Sequence, residues 1–142
     1  MKAERTRLAR LRRLERIRDV AKQAALAEAG RAEGTLAQLL ELAERTEAMH
    51  GDYAPRAGLT DGHALAALNT FRDGLDQIAG ATRADADRAR TVADSHAQEA
   101  ALAERRRAAA EERAREAAKT LARKAQSALP VGMRKRLGTR FE

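Results

Sequence analysis

The sequence has no cysteine, one tyrosine, two phenylalanines and no tryptophan. Without cysteine, a disulfide framework and a thiolate metal site are excluded. Hydrophobic residues make up 44% of the chain, but 35 of them are alanine. Because alanine buries only about one methyl group, worth roughly 0.8 kcal/mol, a compact globular core is disfavoured. No apolar run approaches the roughly 18 residues that a membrane span needs, and no apolar segment typical of a signal peptide follows the arginine-rich start.

What the chain does contain is a helix-forming composition. Alanine, glutamate, lysine, leucine and arginine together supply 92 of the 142 residues, which is typical of long helices and coiled coils. We therefore expect an elongated structure that buries one narrow apolar stripe.

Hydrophobic periodicity divides the chain into two helical arms. The first arm is predicted over about residues 2–49, the turn over 50–60, the second arm over 61–128 and a basic tail over 129–142. Pro55 interrupts helix in the turn, and Thr60 or Asp61 provides a cap for the second arm. The expected fold is all-α, an antiparallel two-helix coiled-coil hairpin with a longer second arm.

Each arm carries residues that recur as one helix face requires, every three to four residues in the first arm and in alternate steps of three and four in the second. In the first arm these are Leu8, Leu11, Leu14, Ile17 and Ala21, and the stripe resumes at Ala32, Leu36, Leu39, Leu40 and Ala43. In the second arm they are Leu65, Leu68, Arg72, Leu75, Ala79, Thr82, Ala86, Ala89, Ala93, His96, Ala100, Ala103, Arg107, Ala110, Ala114, Ala117 and Leu121.

A short turn predicts the register of the two arms. Pairing Met49 with residue 62 places Gly30 near Gly80, so small residues gather at one level. This favours a close approach of the helices, with a local kink at the glycines as the alternative. In this register the second arm extends roughly twenty residues beyond the first, and each helical residue adds about 1.5 Å of length. The extension is basic.

Charge is unevenly distributed along the chain. The formal net charge is +6 for residues 1–22, −4 for 23–62, −3 for 63–104 and +8 for 105–142. The hairpin would bring the two basic ends together, and we interpret that end as a binding site for a negatively charged partner. Nucleic acid is an alternative partner, although aromatic residues for base stacking are missing there. An anionic membrane surface is another, through Leu8–Val20.

No combination of residues in the sequence predicts catalysis. The histidines His50, His63 and His96 have no second close metal ligand, and no phosphate-binding glycine loop occurs. The serines are Ser95 and Ser127, and although Ser95 precedes His96, adjacent helix positions do not face each other, which disfavours a nucleophile–base pair. The chain is therefore predicted to be no enzyme and to bind neither cofactor nor metal. Phe71, Leu75 and Ile78 are interpreted either as hairpin core or as a partly exposed docking patch.

The opening segment Leu8–Ile17, the chain length, the two arms and the basic ends resemble the flagellar export protein FliJ and its injectisome counterparts. That resemblance implies a hairpin similar to the central stalk of rotary ATPases, located in the cytoplasm at the inner face of the membrane. It implies three partners: the hexameric export ATPase, the export-gate membrane protein and the export chaperones. The free protein is expected to be a monomer, and nucleic acid is not an expected partner.

The resemblance also implies two sets of contact residues. For the ATPase ring these are Leu8, Leu11, Arg12, Leu14, Arg105, Arg106 and Arg113. For the export gate they are Gln38, Leu42, Phe71 and Leu75. A generic coiled-coil adaptor or homo-oligomer, with a basic end that binds nucleic acid or anionic membrane, is the alternative interpretation.

Overall fold

The computed structural model describes residues 1–54 and 61–130, and two α-helices account for nearly all of them. Helix α1 spans Lys2–Asp52 and helix α2 spans Gly62–Ser127, with no strand in the described ranges. The helices pack against each other in antiparallel orientation, and α2 has 66 residues against 51 in α1. The predicted hairpin with a longer second arm is confirmed. The predicted basic tail lies outside the described residues from position 131 onward.

The helix ends near the turn differ slightly from the prediction. Helix α1 continues through His50 and Gly51 to Asp52, so the turn begins later than expected. At the start of α2, Asp61 Oδ1 accepts a 2.9 Å hydrogen bond from the backbone N–H of His63. Asp61 is therefore the cap that satisfies one of the free amides of the first helical turn. The other proposed cap, Thr60, and Pro55 lie outside the described residues.

The predicted seam of α2 is confirmed along almost its whole length. Every predicted seam residue after Leu65 is buried or half-buried, whereas Leu65 is exposed. The most buried members include an alanine at every seventh position: Ala79, Ala86, Ala93 and Ala100. This regular placement of a small side chain is what allows two helices to pack along a narrow seam.

The predicted seam of α1 is wrong at Ile17 and Ala21, between the leucine-rich start of the helix and its second half. Ile17 is 56% exposed and Ala21 is also exposed. The half-buried residues here are instead Arg18 and Lys22, which keep the heptad spacing of the rest of the helix. Long basic side chains can lie along such a seam because their aliphatic stems pack while the charged ends reach solvent.

The predicted register is wrong by about five helical turns. Lys124 contacts Glu4, Lys22 contacts Glu104, and Glu47 contacts Arg83. The basic part of α2 therefore packs against the start of α1, and the predicted unpaired extension does not occur. The extra length of α2 lies beside the turn instead, where Phe71 contacts Tyr53 just after the end of α1. An alanine seam matches its partner equally well at every heptad shift, so it did not determine the register.

The glycines do not mark a close approach of the helices. A Cβ atom placed at Gly30, Gly34, Gly74 or Gly80 would have no neighbouring atom within 4 Å. The hairpin divides into two compact units. We call the described part of the first, residues 1–24 and 101–130, the terminal unit. We call the described part of the second, residues 25–54 and 61–100, the turn unit.

Candidate functional site

The two units carry opposite charge. In the terminal unit, residues 1–24 hold nine basic and three acidic side chains, and residues 101–130 hold eight and four, which gives a net charge of +10. Residues 25–100, which include the turn unit, hold seven basic and thirteen acidic side chains, a net charge of −6. The segregation predicted from the sequence is therefore a property of the folded units, and each unit offers a different kind of surface.

Ion pairs neutralise one part of the terminal unit. Arg107 donates hydrogen bonds of 2.8 and 2.9 Å to Glu104 and one of 2.7 Å to Glu111, while Lys22 Nζ lies 2.9 Å from Glu104. Arg107 and Lys22 together lower the pKa of Glu104 to about 2. The pKa of Glu111 is lowered mainly by Arg107, and the two glutamates raise the pKa of Arg107. The Lys22–Glu104 pair joins α1 to α2, while the pairs of Arg107 lie within α2, and together these charges neutralise one another.

Other arginines of the terminal unit are free. Arg12, Arg105, Arg106 and Arg113 are exposed, and none has an ion pair with any residue in 1–54 or 61–130. Arg106 and Arg113 are seven residues apart and so share one side of α2. This side is a cationic surface suited to a carboxylate- or phosphate-bearing partner.

The apolar residues predicted to bind the ATPase ring lie elsewhere. Leu8 is buried and Leu11 and Leu14 are half-buried in the hairpin seam. They pack between the helices, and the exposed members of the predicted ring set are the arginines.

The turn unit carries an apolar patch, which we define as Leu42, Met49, Tyr53, Phe71 and Ile78. Their exposed fractions lie between 45% and 53%. The rings of Tyr53 and Phe71 meet edge to face with centroids 5.0 Å apart. Large half-exposed hydrophobic side chains toward the turn end of the unit indicate a surface for another molecule. Leu26 and Val92 are similarly exposed but lie farther from the turn.

Heptad geometry explains why most of the apolar patch lies on one side of the hairpin. Glu47 and Arg83, which directly follow seam residues, form an ion pair on one side of the seam. Residues that directly precede seam residues therefore share the other side. These residues are Leu42 and Met49 on α1 and Phe71 and Ile78 on α2.

The predicted gate residues are only partly brought together. Leu42 and Phe71 share the apolar patch, but the observed register separates them along the hairpin, with Met49 and Ile78 between them. Gln38 is exposed one turn before Leu42. Leu75 is only 7% exposed and packs in the core of the hairpin, so the predicted gate contact would require its side chain to leave the seam. The α2 patch residues beside the turn are Phe71 and Ile78.

Met49 and Tyr53 are not among the contact residues predicted from the sequence. Met49 was treated as the last residue of the first arm and Tyr53 as part of the turn. The sequence did contain a signal for Met49. It directly precedes His50, just as Leu42 directly precedes Ala43 one heptad earlier. Tyr53 gave no such signal, because its contact with Phe71 depends on the register.

Within residues 1–54 and 61–130, no three histidine or acidic side chains lie close enough together to bind a metal ion. Neither α1 nor α2 has an apolar stretch long enough to cross a membrane. No family model, curated protein or solved structure matches this chain.

Proposed function

We propose that the chain is a non-enzymatic stalk and coupling component of the flagellar type III export apparatus, similar to FliJ. A cationic surface on one unit and an apolar patch on the other unit of the hairpin support this proposal, because a coupling component must engage two partners. The unpaired arginines of the terminal unit would bind the export ATPase ring, and the apolar patch of the turn unit would bind the export gate. This assigns the protein to the cytoplasmic side of the membrane, where the export chaperones would be further partners.

The observation that carries the ring contact is the difference between paired and unpaired arginines. Arg107 is held by Glu104 and Glu111, whereas Arg105, Arg106 and Arg113 have no ion pair among the described residues. An exposed arginine without a partner keeps its full capacity to form charge-assisted hydrogen bonds. Free cations grouped on a unit of net charge +10 support a docking site for an acidic surface, such as the inside of a ring.

The role proposed for this contact is mechanical and allosteric. A hairpin whose terminal unit sits inside the ATPase ring would contact several subunits at once and so promote formation of the hexamer. Changes in the ring during ATP hydrolysis would then act on the helices, and the turn unit would transmit the effect to the gate. This role requires no reacting group in the hairpin itself.

Charge reversal tests the ring contact. Arg105→Glu, Arg106→Glu and Arg113→Glu together should weaken binding to the export ATPase by about 100-fold or more at low salt and reduce its salt dependence. The control for net charge is Arg31→Glu, Arg45→Glu and Arg90→Glu at exposed positions of the turn unit. Arg31 and Arg45 pair with Glu28 and Glu41 on α1, so circular dichroism must show equal helicity for this variant. For both variants, a pull-down measures binding to the export ATPase, and an ATP hydrolysis assay measures activation of that ATPase.

Two outcomes would contradict the proposal. The first is unchanged binding of the terminal-unit variant, and the second is an equal loss in both variants, which would indicate a non-specific charge effect. A filter-binding assay with bulk DNA and sedimentation with anionic vesicles test the generic adaptor. Tight binding to either, without binding to the ATPase, would favour that alternative. A reading frame for a rotary-type ATPase beside the gene would add support.

A further inference from the structure

Helix α1 carries a second heptad row that its own partner helix does not cover. Its members are spaced alternately three and four apart, as in the hairpin seam: Arg10, Arg13, Ile17, Val20 and Ala24. All five are exposed, and the two large aliphatic residues are the most unusual, with Ile17 56% and Val20 69% exposed. A row with this spacing has the form of one half of a helix–helix interface.

The row lies on the face of α1 that points away from α2. At this level the seam is formed by Arg18 and Lys22, which are half-buried, and Lys22 binds Glu104 on α2. Val20 follows Arg18 by two residues, which corresponds to a rotation of about 200° around the helix. Its side chain is therefore almost opposite the seam, and α2 cannot bury it.

Two arginines lie beside the two aliphatic residues, and the adjoining groove at Val20 also contains Glu15 and Asp19. Arg13 and Arg16 line the same shallow groove as Ile17 and Val20. Neither arginine, nor Arg10, has an ion pair with any residue in 1–54 or 61–130. The unit as a whole is strongly positive. A complementary surface would combine aliphatic residues with carboxylates at positions that meet these guanidinium groups.

We propose that this row docks an acidic amphipathic helix of a partner protein, which packs along α1 as a third helix. A helix fits the row because the apolar stripe is narrow and the alanines at positions 21 and 24 allow a close approach of the backbones. A membrane-bound helix has a broader apolar face than Ile17 and Val20 provide. Nucleic acid would not require exposed aliphatic residues between the arginines.

The row lies in the same unit as the proposed ring contact but uses different residues. It concerns the outer face of α1, whereas the ring contact rests on Arg12 of α1 and on Arg105, Arg106 and Arg113 of α2. Reversing those three charges tests the ring contact without altering the row, and the variants below leave those three arginines unchanged.

A synthetic peptide tests the docking site. The probe is a fluorescein-labelled helix of about three heptads with leucine at the seam positions and glutamate at the flanking positions, the pattern of a coiled-coil partner. A second peptide has lysine in place of each glutamate. Binding to the full-length protein is measured by fluorescence anisotropy at low and high salt, and vesicles with anionic lipid are tested in parallel by sedimentation.

Alanine variants locate the site without disturbing the helix, because alanine is the best helix former at an exposed position. Ile17→Ala with Val20→Ala should weaken binding of the acidic peptide by about tenfold or more. Arg13→Gln with Arg16→Gln should weaken it and make it less sensitive to salt. The matched control is Val92→Ala, which removes a half-exposed valine from the acidic turn unit and should change nothing. Circular dichroism confirms equal helicity.

The proposal is overturned by any of three results. One is equal binding of the lysine and glutamate peptides. Another is peptide binding that does not respond to Ile17→Ala with Val20→Ala. The third is vesicle binding that this variant abolishes while the acidic peptide does not bind, which would make the row a membrane-binding surface.

Discussion

Arg72 Nε donates a 3.3 Å hydrogen bond to the backbone carbonyl oxygen of His50, and so a residue of α2 caps the end of α1. The carbonyls of the last helical turn have no partner within their own helix. A cation at this position also complements the negative end of the helix dipole. The contact explains why α1 continues past His50, through a glycine, to Asp52.

Removal of the Arg72 guanidinium should loosen the last turn of α1. Arg72→Met retains most of the aliphatic stem but loses the hydrogen bond and the charge, at a cost of about 1 kcal/mol in the free energy of unfolding. Hydrogen exchange should accelerate at the amides of Tyr53 and Ala54, which bond to the carbonyls of Met49 and Gly51. Arg90→Met is the control, because Arg90 is exposed. Equal exchange rates in wild type and Arg72→Met would show that the cap is not needed.

The ion pairs of Glu104 should make the hairpin less stable in acid. Arg107 and Lys22 lower the pKa of Glu104 from 4.5 to about 2, so the folded state favours the ionised carboxylate. Its stabilising contribution is fully present above about pH 4.5 and is lost as the pH falls through about 2. Glu104→Gln should therefore lose less stability than wild type across this range, and the difference should shrink in high salt.

Urea denaturation at several pH values measures this effect. Glu33→Gln serves as the control, since Glu33 is exposed and has no ion pair among the described residues. If Glu104→Gln and wild type lose stability in parallel on acidification, the pairs with Arg107 and Lys22 do not contribute to the folded state in solution.

Local sequence information was sufficient for the helices and for one seam, but not for their register. The spacing from Leu75 to Leu121 predicted the buried side of α2 because each heptad repeats the same local pattern. The seam of α1 was mispredicted where Ile17 and Lys22 compete, since a hydrophobic pattern selects the isoleucine. Lys22 lies in the seam because of Glu104, a residue of the other helix that periodicity in α1 cannot reveal.

The binding surfaces were predictable as classes of residue rather than as individual positions. Arg105, Arg106 and Arg113 were expected to be exposed, and their exposure follows from charge alone. Leu75 was assigned to the partner surface although it lies in the predicted seam, and its burial shows that the seam assignment should have taken precedence.

Leu75 and Ile78 are three residues apart on α2 but should respond differently to truncation. Leu75 is 7% exposed, so Leu75→Ala creates a cavity and should cost about 2–5 kcal/mol of stability. Ile78 is 53% exposed, so Ile78→Ala should cost less than about 1 kcal/mol. Thermal melts followed by circular dichroism should therefore shift strongly for Leu75→Ala and little for Ile78→Ala.

Substitutions in the apolar patch should affect partner binding more than stability if the patch is the docking surface. Phe71→Ala with Ile78→Ala removes two half-exposed side chains and should abolish binding to the export gate, with loss of motility, while helicity is retained. Val92→Ala is again the control, because Val92 precedes a seam residue as Ile78 does but lies outside the patch. Normal motility of the double variant would refute the gate contact, since binding to the gate would then not depend on the patch.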